Sequence, residues 1–211
     1  SRVQVGEMLA DAVAQAKAKP AIFIQASAVG IYGTGADIVF NEQSPAGEGY
    51  LAEVAIQWEA STRAVEELGV RRAVIRTGIV LDRQEGALPQ MLAPFRLGVG
   101  GPIGSGSQWM SWIHLEDEVQ AILYILTRQL GGIFNLTAPN PVRNAEMGRS
   151  IARVWRKPYW LPVPAFALRT ALGEMSTLVL DGQRALPESL LKAGYHFRYP
   201  NLEEALRGLL I

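Results

Sequence analysis

The segment Ala21-Ile22-Phe23-Ile24-Gln25-Ala26 constrains the fold more than any other, because it is a short, nearly unbroken apolar run that opens directly after Pro20. A strand that is apolar on both faces must be covered on both. That is the pattern of a parallel sheet lying between layers of helix. The flanking residues agree. Val5, Met8, Leu9, Ala12, Val13 and Ala16 recur at helical spacing and predict an amphipathic helix that stops before Pro20. A second helix is expected from Tyr50 to Leu68, with Leu51, Val54, Ala55, Trp58, Val65 and Leu68 on one face and Gly69 as its αL stop. A strand at Arg72–Arg76 follows. This alternation predicts an α/β fold with a Rossmann-like, doubly wound parallel sheet.

The later half is less regular. It predicts a helix near Leu88–Leu97, a Gly-rich stretch Gly98–Gly106, an extended segment Gln108–Ile113, a helix at about Leu115–Arg128 and a strand Gly132–Leu136. A helix around Asn144–Trp155 comes next. Pro158, Pro162 and Pro164 then mark a connection into a small α+β lobe at the C-terminus. Within it, Pro187–Gly194 and Asn201–Leu210 are expected to be helices flanking a short strand at His196–Arg198, with Asn201 and Glu204 as a capping-box start. Leu190, Leu191, Leu202, Leu206 and Leu209 need a buried place on the main body. The expected division is 1–137, with pocket insertions at 82–113, and 138–211.

Composition excludes several function classes. Lys plus Arg number 20 and Asp plus Glu 20, so there is no basic excess to neutralise nucleic-acid phosphates. The longest apolar stretches fall far short of the roughly 20 residues of a membrane span, and Ser1–Lys17 reads as an amphipathic helix and not as a signal peptide. There is no cysteine, which removes disulfides and thiolate sites and fits a reducing cytoplasm; two histidines make a poor basis for a metal centre. A small-molecule substrate is the expected partner, and the oligomeric state is left open.

Chemistry should gather where the parallel strands end, since an open α/β sheet binds ligands beyond its carboxyl edge. The first strand ends in Ala26-Ser27-Ala28-Val29-Gly30-Ile31-Tyr32-Gly33 and the second in Arg76-Thr77-Gly78-Ile79-Val80-Leu81. Ser27 and Tyr32 can meet a substrate there, although Ser and Gly are also ordinary turn residues. Arg76 reads as an ion-pairing residue and Thr77 and Gly78 as the lip of the crevice. Gln108-Trp109-Met110-Ser111-Trp112-Ile113-His114-Leu115-Glu116-Asp117 concentrates aromatic, basic and acidic groups. His114 and Asp117 suit either acid–base work or the start of a helix, and Gln108 and Trp109 suit a pocket wall. Trp58 is expected in the core.

Taken together, these segments, with Leu51-Ala52-Glu53-Val54, Trp58-Glu59 and the tail Arg184-Ala185-Leu186-Pro187-Glu188 with Gly194-Tyr195-His196-Phe197, resemble the epimerase-like branch of the atypical extended short-chain dehydrogenases/reductases. The resemblance runs over essentially the whole chain. It implies a Rossmann-type sheet holding NADP(H) or NAD(H), with the substrate beneath the C-terminal lobe. It makes Ser27 the strand-end hydroxyl that polarises a substrate carbonyl, places Thr77 and Gly78 near the nicotinamide, and sets Tyr32, Gln108, Trp109 and His114 around the substrate. The superfamily's catalytic Tyr, with a Lys four residues later, is absent: Tyr50 opens the corresponding helix and Val54 stands four residues on.

The expected function is therefore an NAD(P)-dependent epimerase-, dehydratase- or reductase-like protein acting on an unidentified small molecule, nucleotide-sugar-like by resemblance. The alternative is a catalytically silent relative that binds a nucleotide or a partner. The dinucleotide fingerprint, a Gly-rich turn between a strand and its helix, is absent too, since the Gly98–Gly106 glycines follow a helix. The chain is thus expected to lack the family's N-terminal half and to bind NADP(H) weakly or not at all alone.

Overall fold

The computed structural model describes residues 1–35, 37–166, 170 and 181–211; part of the expected C-terminal lobe, 167–169 and 171–180, lies outside the described residues. The chain opens with α1 (Arg2–Gln15) and β1 (Ile22–Ala28), then a 3₁₀ turn at Val29–Tyr32 and β2 (Val39–Phe40). Helices α2 (Tyr50–Ala60) and α3 (Ala64–Glu67) lead to β3 (Arg71–Thr77), β4 (Ile79–Leu81) and α4 (Ala87–Arg96). Next come β5 (Trp109–Met110), β6 (Trp112–His114), α5 (Leu115–Thr127), β7 (Gly132–Leu136), β8 (Val142–Arg143) and α6 (Asn144–Trp155). The described C-terminal elements are β9 (Arg184–Ala185), α7 (Glu188–Lys192) and α8 (Leu202–Leu210).

The three expected strands form one parallel sheet in the order β1-β3-β7. Its register sets the chemistry of each face. Ala26, Ile75 and Phe134 lie abreast, and Ile75 and Phe134 join Ala121 and Ile125 of α5 in one core cluster. One residue further along, Ser27, Arg76 and Asn135 lie abreast on the opposite face, because successive side chains alternate. The tail has no separate core among the described residues: Leu202, Leu206 and Leu209 share a cluster with Leu81, Leu88 and Trp112, while Leu190 and Tyr195 pack beneath the sheet with Ile125 and Leu136.

Several expectations need correction. In α1 the buried positions are Gly6 and Ala10, whereas Val5, Met8 and Leu9 face outward at 55%, 70% and 49% exposure. The helix approaches the α2–α3 turn so closely that a methyl group on Gly6 would collide with Ser61, so only small residues fit that face. The expected 50–68 helix is two helices. Ser61 Oγ donates to Trp58 O at 2.7 Å, and such side-chain bonds compete with the helical ladder. Ala52 and Ala55 face inward there, Leu51 is exposed, and Trp58 is half-buried under the Arg2 guanidinium and outside the core.

In the tail, 196–198 form no strand. The backbone N–H groups of Arg198 and Tyr199 instead donate to the Asp117 carboxylate, each at 2.8 Å, so a buried side chain supplies the acceptors that a neighbouring strand would give. Asn201 sits at the start of α8 without a capping bond of its own and accepts from Asn140 at 2.9 Å. Leu191 remains 46% exposed, while the other four leucines of the tail set are buried. No helix among the described residues is long and apolar enough to cross a membrane.

Candidate functional site

The row Ser27–Arg76–Asn135 carries a continuous polar network at the carboxyl edge of the sheet. Glu59, from α2, receives Ser27 Oγ–H at 2.6 Å and two N–H groups of Arg76, from Nε at 2.8 Å and from one terminal nitrogen at 2.9 Å. The other Arg76 arm donates to the Tyr32 hydroxyl at 3.0 Å, and that hydroxyl donates to Asn135 Oδ1 at 2.7 Å. Asn135 continues the chain by giving its backbone N–H to Glu42, which also accepts the Ser189 N–H of α7. Burial works against the Arg76 charge, but its bonds to Glu59 and Tyr32 outweigh it and hold the guanidinium above its ordinary pKa. Burial also raises the Tyr32 phenol. Arg76 is thus an ion-pairing residue. Ser27 and Tyr32, 5% and 2% exposed, are brought together inside this network with both hydroxyl protons committed.

Thr77 belongs to the other face. Its hydroxyl donates to Glu118 of α5 at 2.8 Å, and the second Glu118 oxygen is buried without a partner. Burial pushes the Glu118 carboxyl up to about 7. Gly78 is where β3 passes against Ser111 so tightly that a methyl group would strike its carbonyl oxygen. Tyr50, at the head of α2, stands 78% exposed, away from this chemistry.

A third group forms around Trp109, which lies opposite Arg143 in the antiparallel β5–β8 pair. The Arg143 and Arg184 guanidinium carbons sit 4.2 and 4.6 Å from the centroid of the Trp109 ring. Gln108 lies beside it, its amide donating to Ile103 O at 3.2 Å and its carbonyl receiving the Asn144 N–H. Arg184 belongs to the tail segment that carries the family resemblance, but the contact of either arginine with Trp109 has no local sequence signal, because it runs through pairing between distant segments. Ser111 makes that link for Arg184: its hydroxyl donates to Gln183 O at 2.7 Å and accepts from the Ala185 N–H at 2.9 Å.

His114 takes the helical alternative open to it. As N-cap of α5 it accepts the Glu116 N–H on Nδ1 at 3.0 Å, and its ring stacks on Tyr199 at 4.0 Å. Burial lowers its pKa. Asp117, 1% exposed, anchors the tail through Arg198, Tyr199 and the Tyr195 hydroxyl, and is not a cap of its own helix.

For a dinucleotide the fit is incomplete. The Gly98–Gly106 stretch runs from α4 into isolated bridges of Gly100 with Tyr159 and Ile103 with Val163, and among the described residues no Gly-rich turn joins a strand to the helix after it. The pyrophosphate cradle is therefore not among these residues.

Comparison with known proteins extends this picture. The NAD dependent epimerase/dehydratase family matches residues 1–137, and a domain of unknown function, DUF1731, matches residues 163–209. The chain is 44% identical over 213 residues to the chloroplastic epimerase family protein SDR39U1 homolog of Arabidopsis thaliana, covering 100% of this chain and 61% of that protein. It is also 44% identical to epimerase family protein YfhF of Bacillus subtilis, covering 100% of this chain and 70% of that one. Among solved structures, human epimerase family protein SDR39U1 (isoform 2) with NADPH matches at 31% identity and a TM-score of 0.92, over 100% of this chain and 72% of the human one. The chain thus spans slightly less than two thirds of the plant relative's length and slightly more than two thirds of the other two. The α/β architecture, the β1-β3-β7 parallel sheet and these matches place the chain in the NAD dependent epimerase/dehydratase family.

Proposed function

We propose that the protein is an NADP(H)-dependent epimerase-, dehydratase- or reductase-type enzyme acting on a small molecule, with these 211 residues carrying its substrate side. The observation that supports it is the match over the whole chain, at 31% identity, to a human relative solved with NADPH. In this reading Thr77 and Gly78 lie toward the nicotinamide and Gln108 and Trp109 toward the substrate. NADP(H), when bound, supplies the hydride. Residues 1–211 alone bind it weakly or not at all, since the described part offers no pyrophosphate cradle. Fluorescence titration of the 211-residue chain with NADPH tests that statement, and micromolar affinity would contradict it.

One observation favours the silent alternative. Ser27 gives its only proton to Glu59, so it can accept from a substrate oxygen but cannot donate to one while that bond stands. The same arrangement limits Tyr32. A catalytic Ser27 therefore requires Glu59 to release it. Measuring NADPH consumption by the full-length protein with a panel of carbonyl compounds, for the wild type and Ser27→Ala, separates the readings: turnover that survives the substitution removes Ser27 from catalysis, and no turnover on any compound supports the silent protein.

A further inference from the structure

The end of α4 and the segment after α6 meet on one surface. The Tyr159 ring stacks on Phe95 of α4, the Trp160 and Leu161 N–H groups both donate to Gly100 O, and Trp160 Nε1 donates to Gly98 O at 3.0 Å. These bonds fix the Trp160 ring against the residue that follows Leu97, and both side chains stand in water, at 63% and 80% exposure. The polar groups beneath them are already satisfied. Gly98 N–H bonds to Phe95 O and Val99 N–H to Pro94 O, and the indole N–H is taken by Gly98 O, so taking this edge out of water strands none of these donors. The surrounding charge has one sign. Residues 86–115 and 147–166 contain no Asp or Glu. Of their basic residues Arg153 pairs with Glu203, whereas Arg96, Arg149, Arg156 and Lys157 are exposed and have no carboxylate partner among the described residues. A chain of balanced net charge thus gathers unpaired cations around a fixed apolar edge.

We propose that this edge, Leu97 and Trp160 flanked by Arg96, Arg156 and Lys157, docks the protein peripherally on an anionic lipid surface. The residue types fit that occupant in two ways. Trp and Leu gain by entering the boundary between headgroups and acyl chains, where an indole is favoured. Long basic side chains beside them reach the anionic headgroups while their stems cover apolar surface. Arg96 adjoins Leu97, and Arg156 and Lys157 come just before the 158–161 segment, so cations lie on both sides of the apolar pair in the chain. The attachment is interfacial and spans nothing, and it uses neither cofactor nor substrate.

Co-sedimentation of the full chain with vesicles tests this without NADP(H), using phosphatidylcholine alone and then equal parts of phosphatidylcholine and phosphatidylglycerol. The chain should bind the mixed vesicles saturably, bind the neutral ones at least about tenfold more weakly, and lose binding as sodium chloride rises, because salt screens exposed charge. Of the five tryptophans only Trp160 is exposed, so emission should shift to the blue on the mixed vesicles and Trp160→Phe should remove most of that shift. Arg156→Gln combined with Lys157→Gln should weaken binding about thirtyfold, at about 1 kcal/mol per basic residue. Leu97→Ser alters a side chain already in water, so it should leave Tm unchanged and weaken binding about tenfold. No binding to either vesicle, equal binding to both, or undiminished binding by the Leu97→Ser chain and the double variant would overturn the proposal.

Discussion

The network around Arg76 and the cluster around Arg184 hold similar residues, each a guanidinium beside an aromatic ring near a strand end. They differ in completeness. Arg76 spends its donors on Glu59 and Tyr32, and every side chain in its row has a partner. Arg184 leaves a buried donor unused and so does the ring beneath it. Closed networks specify packing, whereas open buried donors carry an uncompensated desolvation cost. Local sequence points the other way, since Ser27, the residue that best matches a catalytic position, lies in the closed network.

The contrast breaks most visibly at Glu59. Glu59→Ala leaves Arg76, 6% exposed, without its counter-charge, and stability measured by urea denaturation should fall by about 3–5 kcal/mol. A loss below about 1 kcal/mol would show that the network is not a structural unit.

Glu118 is half closed, with one oxygen on Thr77 and the other unpartnered. Its pKa rises from 4.5 in the unfolded chain to about 7 in the folded one. The folded state keeps a proton that the unfolded chain has released, so the stability this group contributes is present below pH 4.5 and is lost as pH climbs to 7, by up to about 3 kcal/mol. In Glu118→Gln the urea midpoint should vary less over that window and exceed the wild-type value above pH 7. An unchanged pH profile would contradict the assignment.

Asp117 is the closed case outside the sheet. Asp117→Ala strands the Arg198 and Tyr199 N–H groups and should cost about 2–3 kcal/mol, with faster amide exchange in 195–211. Exchange unchanged there would mean that the tail is held by its leucines alone.

What could be read from the chain divides along the same line. The three main strands and α6 are legible because burial between two layers makes them continuous apolar runs or strongly periodic ones, bounded by Pro20, Gly69 and Gly132. The inward face of α1 is not legible, since its contact is set by closeness and chosen by Gly6 and Ala10, while apolar periodicity points to Val5, Met8 and Leu9. The tail signature 194–199 reads as an alternating strand, yet its acceptor is a carboxylate 81 residues away from Arg198. Arg143 and Arg184 escape for the same reason. Ion pairs and ring contacts between distant segments leave no local period, so Ser27 looks free and Arg184 looks ordinary until the sheet register is known.

The most direct test sets Ser27→Ala beside Arg184→Met and measures the unfolding free energy of both. Ser27→Ala should lose about 1.5–3 kcal/mol, the scale of a hydrogen bond to a charged group. Arg184→Met, which removes a guanidinium with no carboxylate partner among the described residues, should stay within about 0.5 kcal/mol of wild type. If instead Ser27→Ala leaves stability untouched while Arg184→Met costs more than about 2 kcal/mol, the division between a closed structural network and an open cluster is wrong.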